Sequence, residues 1–170
     1  MLLETKRLVL KKLCASDAEA YLRLSQNDGF RLFQISEYRR SSIEDTKQWI
    51  DKIADYHQRN GFGVVGVFKK ENVALAGLCA LKYLEDEGSS PVELMYRLSD
   101  LYWGHGYGLE IGQMLVSHAF DTIKLNKLVA TVDPQNIPSK NILAKLGFQF
   151  QGTIKIETCD EELHELRATR

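Results

Sequence analysis

The sequence has few of the residues that mark specialised classes of protein. Its three cysteines, Cys14, Cys79 and Cys159, are far apart and form no CxxC motif or Cys/His cluster, so neither a disulfide framework nor a metal site is expected. No run of about 18 apolar residues occurs, which predicts no membrane-spanning helix. The first residues lack the basic-then-apolar order and the cleavage site of a signal peptide. We therefore expect a cytoplasmic protein with no metal and no membrane partner.

An excess of charge of either sign is also missing. The chain has 22 Lys and Arg against 23 Asp and Glu, a net charge of −1. A dedicated nucleic-acid-binding domain or a polybasic membrane anchor would carry a basic surplus, so no nucleic-acid partner is expected. The 170 residues are 44% apolar, contain only three prolines and show no linker. We expect one domain over residues 1–170, as a monomer or a homodimer.

Hydrophobic periodicity predicts an α+β fold, a mixed and mostly antiparallel central sheet flanked by helices. Ser41 and Glu44 have the spacing of a capping box, and Gly77 indicates a bulge or tight packing inside a strand. The predicted strands are 5–13, 62–70, 73–84, 92–98, 127–132, 148–157 and 161–167. The predicted helices begin near Ser16 and Ser41 and then cover 109–123 and 138–146. The helical face of the second reaches about His57, with Asn60-Gly61 as its C-cap, and the last helix ends at Gly147.

A glycine-rich turn, residues 103–108, follows the strand 92–98 and leads into a helix. Glycines permit positive φ and leave backbone N–H groups exposed, and a helix N-terminus adds positive potential, so a phosphate or pyrophosphate is the expected guest. The turn ends in Gly108-Leu109-Glu110, which matches neither a P-loop nor a dinucleotide fingerprint. The alternative is a plain turn that lets the helix pack closely.

A second polar group of residues follows the strand 127–132. Asn136 lies in the turn, Ser139, Lys140 and Asn141 begin the next helix, and Lys145 stands near its end. Two adjacent strands, each followed by a helix whose N-terminus faces the same edge, can form a split groove for a long anionic ligand. The alternative is that Asn136 and Ser139 only cap a helix.

Together these segments resemble the GNAT superfamily of N-acetyltransferases. Residues 93–110, ELMYRLSDLYWGHGYGLE, resemble its acetyl-CoA loop, and residues 128–148 resemble the next block of the superfamily. The opening ETKRLVLKKL and the segments GFGVVGVF and ALAGLCAL resemble the Rim-type ribosomal-protein N-terminal acetyltransferases. The likeness covers nearly the whole chain in order.

The resemblance implies transfer of acetyl from acetyl-CoA to a primary amine, without a metal. It implies that the strand residues Met95, Tyr96, Arg97 and Leu98 pair with the pantetheine arm. It assigns the pyrophosphate to Trp103, Gly104, His105, Gly106, Tyr107 and Gly108. The remaining expected cofactor contacts are Asn136, Ser139, Lys140, Asn141 and Lys145. Lys140 and Lys145 are expected near the ribose phosphate, and the alternative is that both are solvated surface lysines.

Acetyl transfer to an amine needs a group that removes a proton and a group that protonates the leaving thiolate. Glu93 matches a position that is often acidic in the superfamily and is the candidate base, directly or through water; the alternative is a surface carboxylate at a strand end. Many members carry a tyrosine acid where this chain has Leu143, which leaves Ser139 as the nearest polar candidate. A mechanism without a dedicated acid is also open, with backbone N–H groups polarising the thioester carbonyl.

The acceptor amine is expected near residues 28–40, with Phe30, Phe33, Tyr38 and Arg39 as candidate contacts. The alternative is that the aromatic residues belong to the core and the arginines are solvated. The acceptor is a protein N-terminal amine or a small-molecule amine. Two other functions stay open: a catalytically inactive module that binds CoA or acyl-CoA, and a regulatory domain that binds a different nucleotide.

Overall fold

The computed structural model describes residues 2–32, 38–85, 87–156 and 158–168. Within them the chain forms eight strands and five α-helices. The strands are β1 (Leu2–Glu4), β2 (Leu8–Lys11), β3 (Val64–Lys69), β4 (Leu75–Tyr83), β5 (Val92–Leu98), β6 (Lys127–Val132), β7 (Gln149–Ile156) and β8 (Cys159–Arg167). The helices are α1 (Ala18–Ser25), α2 (Asp28–Arg31), α3 (Ile43–Asn60), α4 (Tyr107–Ser117) and α5 (Ile137–Leu146).

The strands form a single mixed sheet in the order β1-β2-β3-β4-β5-β6-β8-β7. The pairs β1–β2, β2–β3, β3–β4, β6–β8 and β7–β8 are antiparallel, whereas β5 pairs with β6 in parallel. The predicted fold class is therefore confirmed. The parallel pair matters most for the site, because parallel strands end at the same edge of a sheet.

The strand predicted over residues 5–13 is shorter in the structure, where β2 covers only Leu8–Lys11. A tight turn at Thr5–Arg7 joins it to a separate strand, β1, which lies before the predicted range. The turn closes through Thr5, whose backbone N–H donates to the Leu8 carbonyl at 3.0 Å. The hydroxyl of Thr5 accepts from the Leu8 N–H at 2.9 Å. A threonine side chain that satisfies a nearby N–H favours a turn over a continuous strand.

Two helices, α3 and α4, begin at residues that differ from the sequence prediction. Ser42 caps α3 rather than Ser41, because the Ser42 hydroxyl accepts from the backbone N–H of Asp45. The predicted end of this helix is confirmed: Gly61 takes φ +77°, the left-handed cap that glycine favours. The helix predicted over 109–123 begins two residues earlier at Tyr107, and its last turn, His118–Thr122, is a π-helix.

The prediction for Gly77 is confirmed. Val67 pairs with Gly77 and Phe68 with Leu75, so Ala76 is an extra residue in β4 and forms a bulge. A Cβ on Gly77 would collide with the carbonyl oxygen of Arg97 and would lie 2.9 Å from the Cα of Leu98. Glycine is required here because β5 backbone takes the space of a side chain.

The chain divides into two compact units. The first consists of residues 1–80 and 96–107. Its core includes an aromatic cluster in which the Tyr21 ring stacks on Trp49 at 4.5 Å and meets Phe30 edge-on at 6.3 Å. The second consists of residues 81–95 and 108–170, and its core is formed by Ile111, Leu115, Leu128 and Leu143. The prediction that all 170 residues form one domain stays a prediction.

Among the residues that the structure describes, no helix is both long and apolar enough to span a membrane. The same residues contain no group of three or more His, Cys, Asp or Glu side chains placed to hold a metal ion.

Candidate functional site

The glycine-rich turn connects the end of β5 to α4. After Leu98, a short 3-10 turn at Asp100–Tyr102 leads into this loop. Gly104 and Gly106 have φ values of +75° and +77°, in the left-handed region that side chains rarely adopt. A Cβ on Gly104 would meet no atom within 4 Å, so this side of the loop is open. The loop therefore has the backbone shape, the free space and the adjoining helix N-terminus that an anion site needs.

Two aromatic residues brace the loop. The indole N–H of Trp103 donates to the carbonyl of Leu98 at 3.0 Å, which fixes the chain where it leaves β5, and the residue as a whole is 47% exposed. Tyr107, the first residue of α4, is buried, with its ring 5.8 Å from that of His105 and 6.4 Å from that of Tyr102. Trp103 and Tyr107 thus support the backbone on both sides of the two glycines.

Arg7 also contacts the loop, and no pattern in the sequence predicts this contact. Its guanidinium donates from Nη1 to the carbonyl of His105 at 2.9 Å. The same group lies 4.3 Å above the ring of Tyr107, a cation–π contact. Arg7 and His105 are 98 positions apart, so no local pattern could have joined them. Only the pairing of β2 with β3 and the order of the sheet bring this arginine to the loop.

The four predicted residues of β5 have different surroundings. Met95, Tyr96 and Arg97 are half-buried and Leu98 is buried. The Arg97 side chain donates to the carbonyls of Phe30 at 3.2 Å and Leu32 at 3.1 Å, so it holds the end of α2. The backbone role expected of these four residues toward a pantetheine arm stays a prediction.

A second contact holds α2 to the segment after β5. The Asn27 side-chain amide donates to the carboxylate of Asp100 at 3.0 Å, and this hydrogen bond holds the pKa of Asp100 below its usual value. Gly29 faces the same aspartate, because a Cβ there would lie 2.4 Å from the Cβ of Asp100. The region predicted to receive the acceptor is therefore anchored to the chain that forms the glycine loop.

Glu93 is a carboxylate inside the sheet. It is only 6% exposed, and its Oε1 accepts from the hydroxyl of Thr131 at 2.6 Å and from the Thr131 backbone N–H at 3.2 Å. Thr131 lies on β6, where Val129 is the parallel partner of Glu93. The alternative of a surface carboxylate at a strand end is wrong, because the parallel neighbour covers this position. A role as base stays a prediction.

The start of α5 agrees with the capping alternative. The side-chain oxygen of Asn136 accepts from the backbone N–H of Ser139 at 3.2 Å, as an N-cap does. Lys140 forms an ion pair of 2.7 Å with Glu162 and contacts the carbonyl of Pro134 at 3.4 Å. Lys140 and His164 together lower the pKa of Glu162, with the Lys140 hydrogen bond the largest cause. Ligand contacts by Asn136, Ser139 and Lys140 stay predictions.

Three further residues of α5 differ in their burial. Asn141 and Lys145 are exposed, so both side chains are accessible to a ligand. Leu143, at the position where many superfamily members carry a tyrosine acid, is 2% exposed and belongs to the core of the second unit.

The predicted acceptor residues divide between core and surface. Phe30 and Tyr38 are fully or almost fully buried, which agrees with the alternative that they are core residues. The carbonyl of Tyr38 accepts from the hydroxyl of Tyr21 at 2.9 Å. Arg39 is exposed, and Phe33 lies outside the described residues. Contact of these residues with an acceptor stays a prediction.

The sequence match defines the class of this protein as an acetyltransferase. The sequence matches the family described as "Acetyltransferase (GNAT) domain" over residues 7–149, and the chain belongs to this family. The matched segment begins at the arginine that contacts the loop and includes the loop, Glu93 and α5.

Known relatives agree with this assignment. An uncharacterized N-acetyltransferase, p20 of Bacillus licheniformis, is 29% identical over 155 residues, which cover 90% of this chain and 85% of the relative. The structure of a ribosomal L7/L12 alpha-N-protein acetyltransferase in complex with coenzyme A has a TM-score of 0.83 at 18% identity, with 98% of each chain covered. The structure of a microcin C7 self-immunity acetyltransferase in complex with acetyl-CoA and AMP has a TM-score of 0.82 at 16% identity, covering 96% of this chain and 93% of that one. The two structures show that the fold is shared.

Proposed function

We propose that the protein transfers acetyl from acetyl-CoA to a primary amine. The observation that carries the proposal is the open glycine loop at the N-terminus of α4, with two glycines held at positive φ. The chain belongs to an acetyltransferase family, and an enzyme that uses acetyl-CoA needs a site for the pyrophosphate of this cosubstrate. Structures of the same fold have been determined with coenzyme A and with acetyl-CoA.

The loop suits the pyrophosphate of CoA on physical grounds. Backbone N–H groups of the loop and the first turn of α4 supply donors and positive potential without requiring a basic surplus on the whole chain. This agrees with a net charge of −1. We assign the pyrophosphate to residues 103–108 and the pantetheine arm to the β5 backbone at residues 95–98.

The reaction joins an amine nitrogen to the thioester carbonyl carbon. The C–N bond forms, the C–S bond breaks, the thiolate of CoA leaves and accepts a proton, and the ammonium proton of the acceptor passes to a base. We assign the base to Glu93, which is held in the sheet by two hydrogen bonds from Thr131. Holding the amine and the thioester together supplies much of the expected acceleration.

The acceptor is a primary amine on a protein N-terminus or on a small molecule. Both kinds of acceptor are considered because one structural relative is a ribosomal L7/L12 alpha-N-protein acetyltransferase and the other is a microcin C7 self-immunity acetyltransferase. We also place the activity in the cytosol, because Cys14, Cys79 and Cys159 are all free thiols.

Ligand-induced stabilisation tests the proposal. Thermal unfolding is compared in the presence of acetyl-CoA, CoA, ATP and NAD. A ligand at 100 times its Kd raises the free energy of unfolding by about 2.7 kcal/mol. We expect stabilisation by both CoA species. Stabilisation by ATP or NAD alone would indicate a nucleotide-binding domain and would contradict the proposal.

Two matched glycine variants test the loop assignment. Gly106→Val introduces a side chain at φ +77° in the loop, and Gly61→Val does the same at φ +77° in the C-cap of α3. Both variants carry a similar backbone strain, but only Gly106→Val is expected to lose CoA binding. Equal CoA affinity in the two variants would remove the loop from the binding site.

Turnover separates an enzyme from a binding module. A panel of peptides with free N-termini and of small amines is incubated with acetyl-CoA, and the free thiol of CoA is detected. We expect amine-dependent release of thiol. CoA binding without turnover on any amine would favour the inactive binding module, which the buried Leu143 in place of a tyrosine leaves open.

A further inference from the structure

Arg7 has a main chain that is fixed on two sides. It lies in the turn between β1 and β2, which Thr5 closes through its hydrogen bonds with Leu8. The carbonyl of Arg7 itself accepts from the backbone N–H of Lys70 at 3.0 Å, next to the end of β3. A side chain that starts from such a fixed position loses less freedom when it makes a contact. The turn therefore presents the guanidinium in one place.

The guanidinium makes two contacts with the loop. Nη1 donates to the carbonyl of His105 at 2.9 Å, and Cζ lies 4.3 Å from the centroid of the Tyr107 ring. Nη2 lies 3.6 Å from the position that a Cβ on Gly106 would occupy. Arg7 therefore contacts the residue between the two positive-φ glycines and the residue that begins α4.

The hydrogen bond to His105 determines which way a loop amide points. In a trans peptide, the C=O of one residue and the N–H of the next point in opposite directions. Since the His105 carbonyl is directed at Arg7, the N–H of Gly106 is directed away from it. Gly104 and Gly106 both occupy the left-handed region and glycine moves easily between regions, so this peptide could rotate without such a restraint.

We propose that Arg7 is the positioning residue of the glycine loop: its hydrogen bond to the His105 carbonyl sets the Gly106 N–H in the direction in which it binds the pyrophosphate of CoA. The inference rests on the proposed function, because it takes CoA as the ligand of the loop. It assigns to the turn between β1 and β2 a part in cofactor binding.

The first test measures binding in Arg7→Met, which keeps an apolar stem of similar reach but removes the donors. Kd is measured by calorimetry for CoA and for dephospho-CoA, which keeps the pyrophosphate and lacks the 3′-phosphate. We expect Kd to rise about tenfold or more for both ligands and by the same factor, since a hydrogen bond from a charged group is lost. The control is Arg23→Gln, which removes an exposed arginine paired with Glu19 and is expected to bind as the wild type.

The second test observes the loop without ligand. The protein is labelled with ¹⁵N-glycine, and the amide signals of Gly104, Gly106 and Gly108 are compared between the wild type and Arg7→Met. We expect these signals to shift or broaden, while those of Gly61 and Gly147, which cap α3 and α5, stay in place. A merely structural role of Arg7 would not confine the change to the loop.

Each contrary result has a distinct meaning. Unchanged Kd values, or unchanged loop signals in the free protein, overturn the inference. A loss seen with CoA but absent with dephospho-CoA places Arg7 at the 3′-phosphate and also overturns it. If the wild type itself binds neither ligand, the proposed function fails first and the inference fails with it. If Arg7→Met does not fold, Arg7→Leu, which also lacks donors, is measured in the same way, with the same expected loss.

Discussion

Glu93 is a carboxylate in the interior of a sheet, held by the hydroxyl and the backbone N–H of Thr131. Glu93→Gln keeps an oxygen that can accept both hydrogen bonds but cannot take a proton from an ammonium. If Glu93 is the base, kcat is expected to fall about 100-fold or more, while the Kd for CoA stays within a factor of two. Steady-state kinetics with an identified amine, together with calorimetry, measure both quantities.

A second carboxylate of the same sheet provides the control. Glu165 on β8 pairs with Lys127 and Arg167, and its side chain is 17% exposed, so Glu165→Gln makes the same change at a half-buried carboxylate of the sheet. It is expected to keep its kcat. If Glu93→Gln turns over as fast as Glu165→Gln, then Glu93 only joins β5 to β6 and is not the base.

His57 is buried near the end of α3 and makes stability depend on pH. Burial is the largest cause that lowers its pKa below 6.5, and the charge of Lys12 adds to this, whereas the hydrogen bond of Nε2 with the Val64 carbonyl at 2.8 Å opposes it. The unfolded chain therefore binds this proton more readily than the native one. The stability that the neutral ring confers is complete above about pH 6.5 and is lost as the pH falls toward the lowered pKa.

Urea denaturation between pH 8 and pH 5 measures this effect. The free energy of unfolding is expected to fall below pH 6.5 in the wild type. His57→Gln keeps an N–H donor for the Val64 carbonyl but does not titrate, so its decline should be smaller. His118, whose pKa is also lowered by burial, still titrates in both proteins and cancels in the difference. Parallel curves for the two proteins would exclude His57 as a source of the acid sensitivity.

At the scale of elements, glycines decide where strands and helices approach closely. Gly77 on β4 faces the Arg97 carbonyl of β5, and Gly112 on α4 faces the side-chain end of Leu146 on α5, at 2.5 Å from an added Cβ. The same change at the two positions meets different obstacles. Backbone in a paired strand cannot move away without breaking the sheet, whereas a leucine side chain can rotate.

Gly77→Ala is therefore expected to destabilise the protein by about 1–3 kcal/mol, the usual cost of overpacking. Gly112→Ala is expected to be nearly neutral, because the shift of Leu146 is offset by about 1 kcal/mol of improved helix propensity. Urea denaturation of the two variants and the wild type gives both values. Equal losses in the two variants would show that the nature of the obstacle, backbone or side chain, is not what matters.

The connections between elements also shape the candidate site. Arg97 and Asp100, in and just after β5, hold both ends of α2 through Leu32, Phe30 and Asn27. Arg7, in the turn between β1 and β2, holds the loop that starts α4. The same stretch of chain that forms the loop is thus fixed by elements from the N-terminal part of the sequence.

At the scale of the whole molecule, the balance of charge is consistent with the proposed chemistry. The net charge of −1 leaves no long-range field to attract an anionic ligand, so recognition of CoA falls to local groups. Of the two lysines expected near the ribose phosphate, Lys140 is paired with Glu162 and Lys145 is exposed. Arg7, a residue of the N-terminal turn, contacts the glycine loop.

Features that depend on neighbours along the chain could be predicted from the sequence. The α+β class, the mainly antiparallel sheet, the ends of α3 and α5 at Gly61 and Gly147, the bulge at Gly77 and the turn at residues 103–108 follow from periodicity, caps and glycines. Each of these signals acts over a few residues, where backbone sterics and local hydrogen bonds decide the conformation. Where the local signal was ambiguous, as at Thr5–Arg7, the prediction was wrong.

Contacts between distant side chains could not be predicted from local sequence. Glu93 is covered because β6 pairs with it in parallel, and its partner Thr131 is 38 residues away. Arg7 contacts His105 across 98 residues. Such contacts depend on strand order and register, which arise from burial of the whole sheet and not from any local pattern. The chain's own pattern predicted the glycine loop, and its tertiary structure supplied the arginine that holds it.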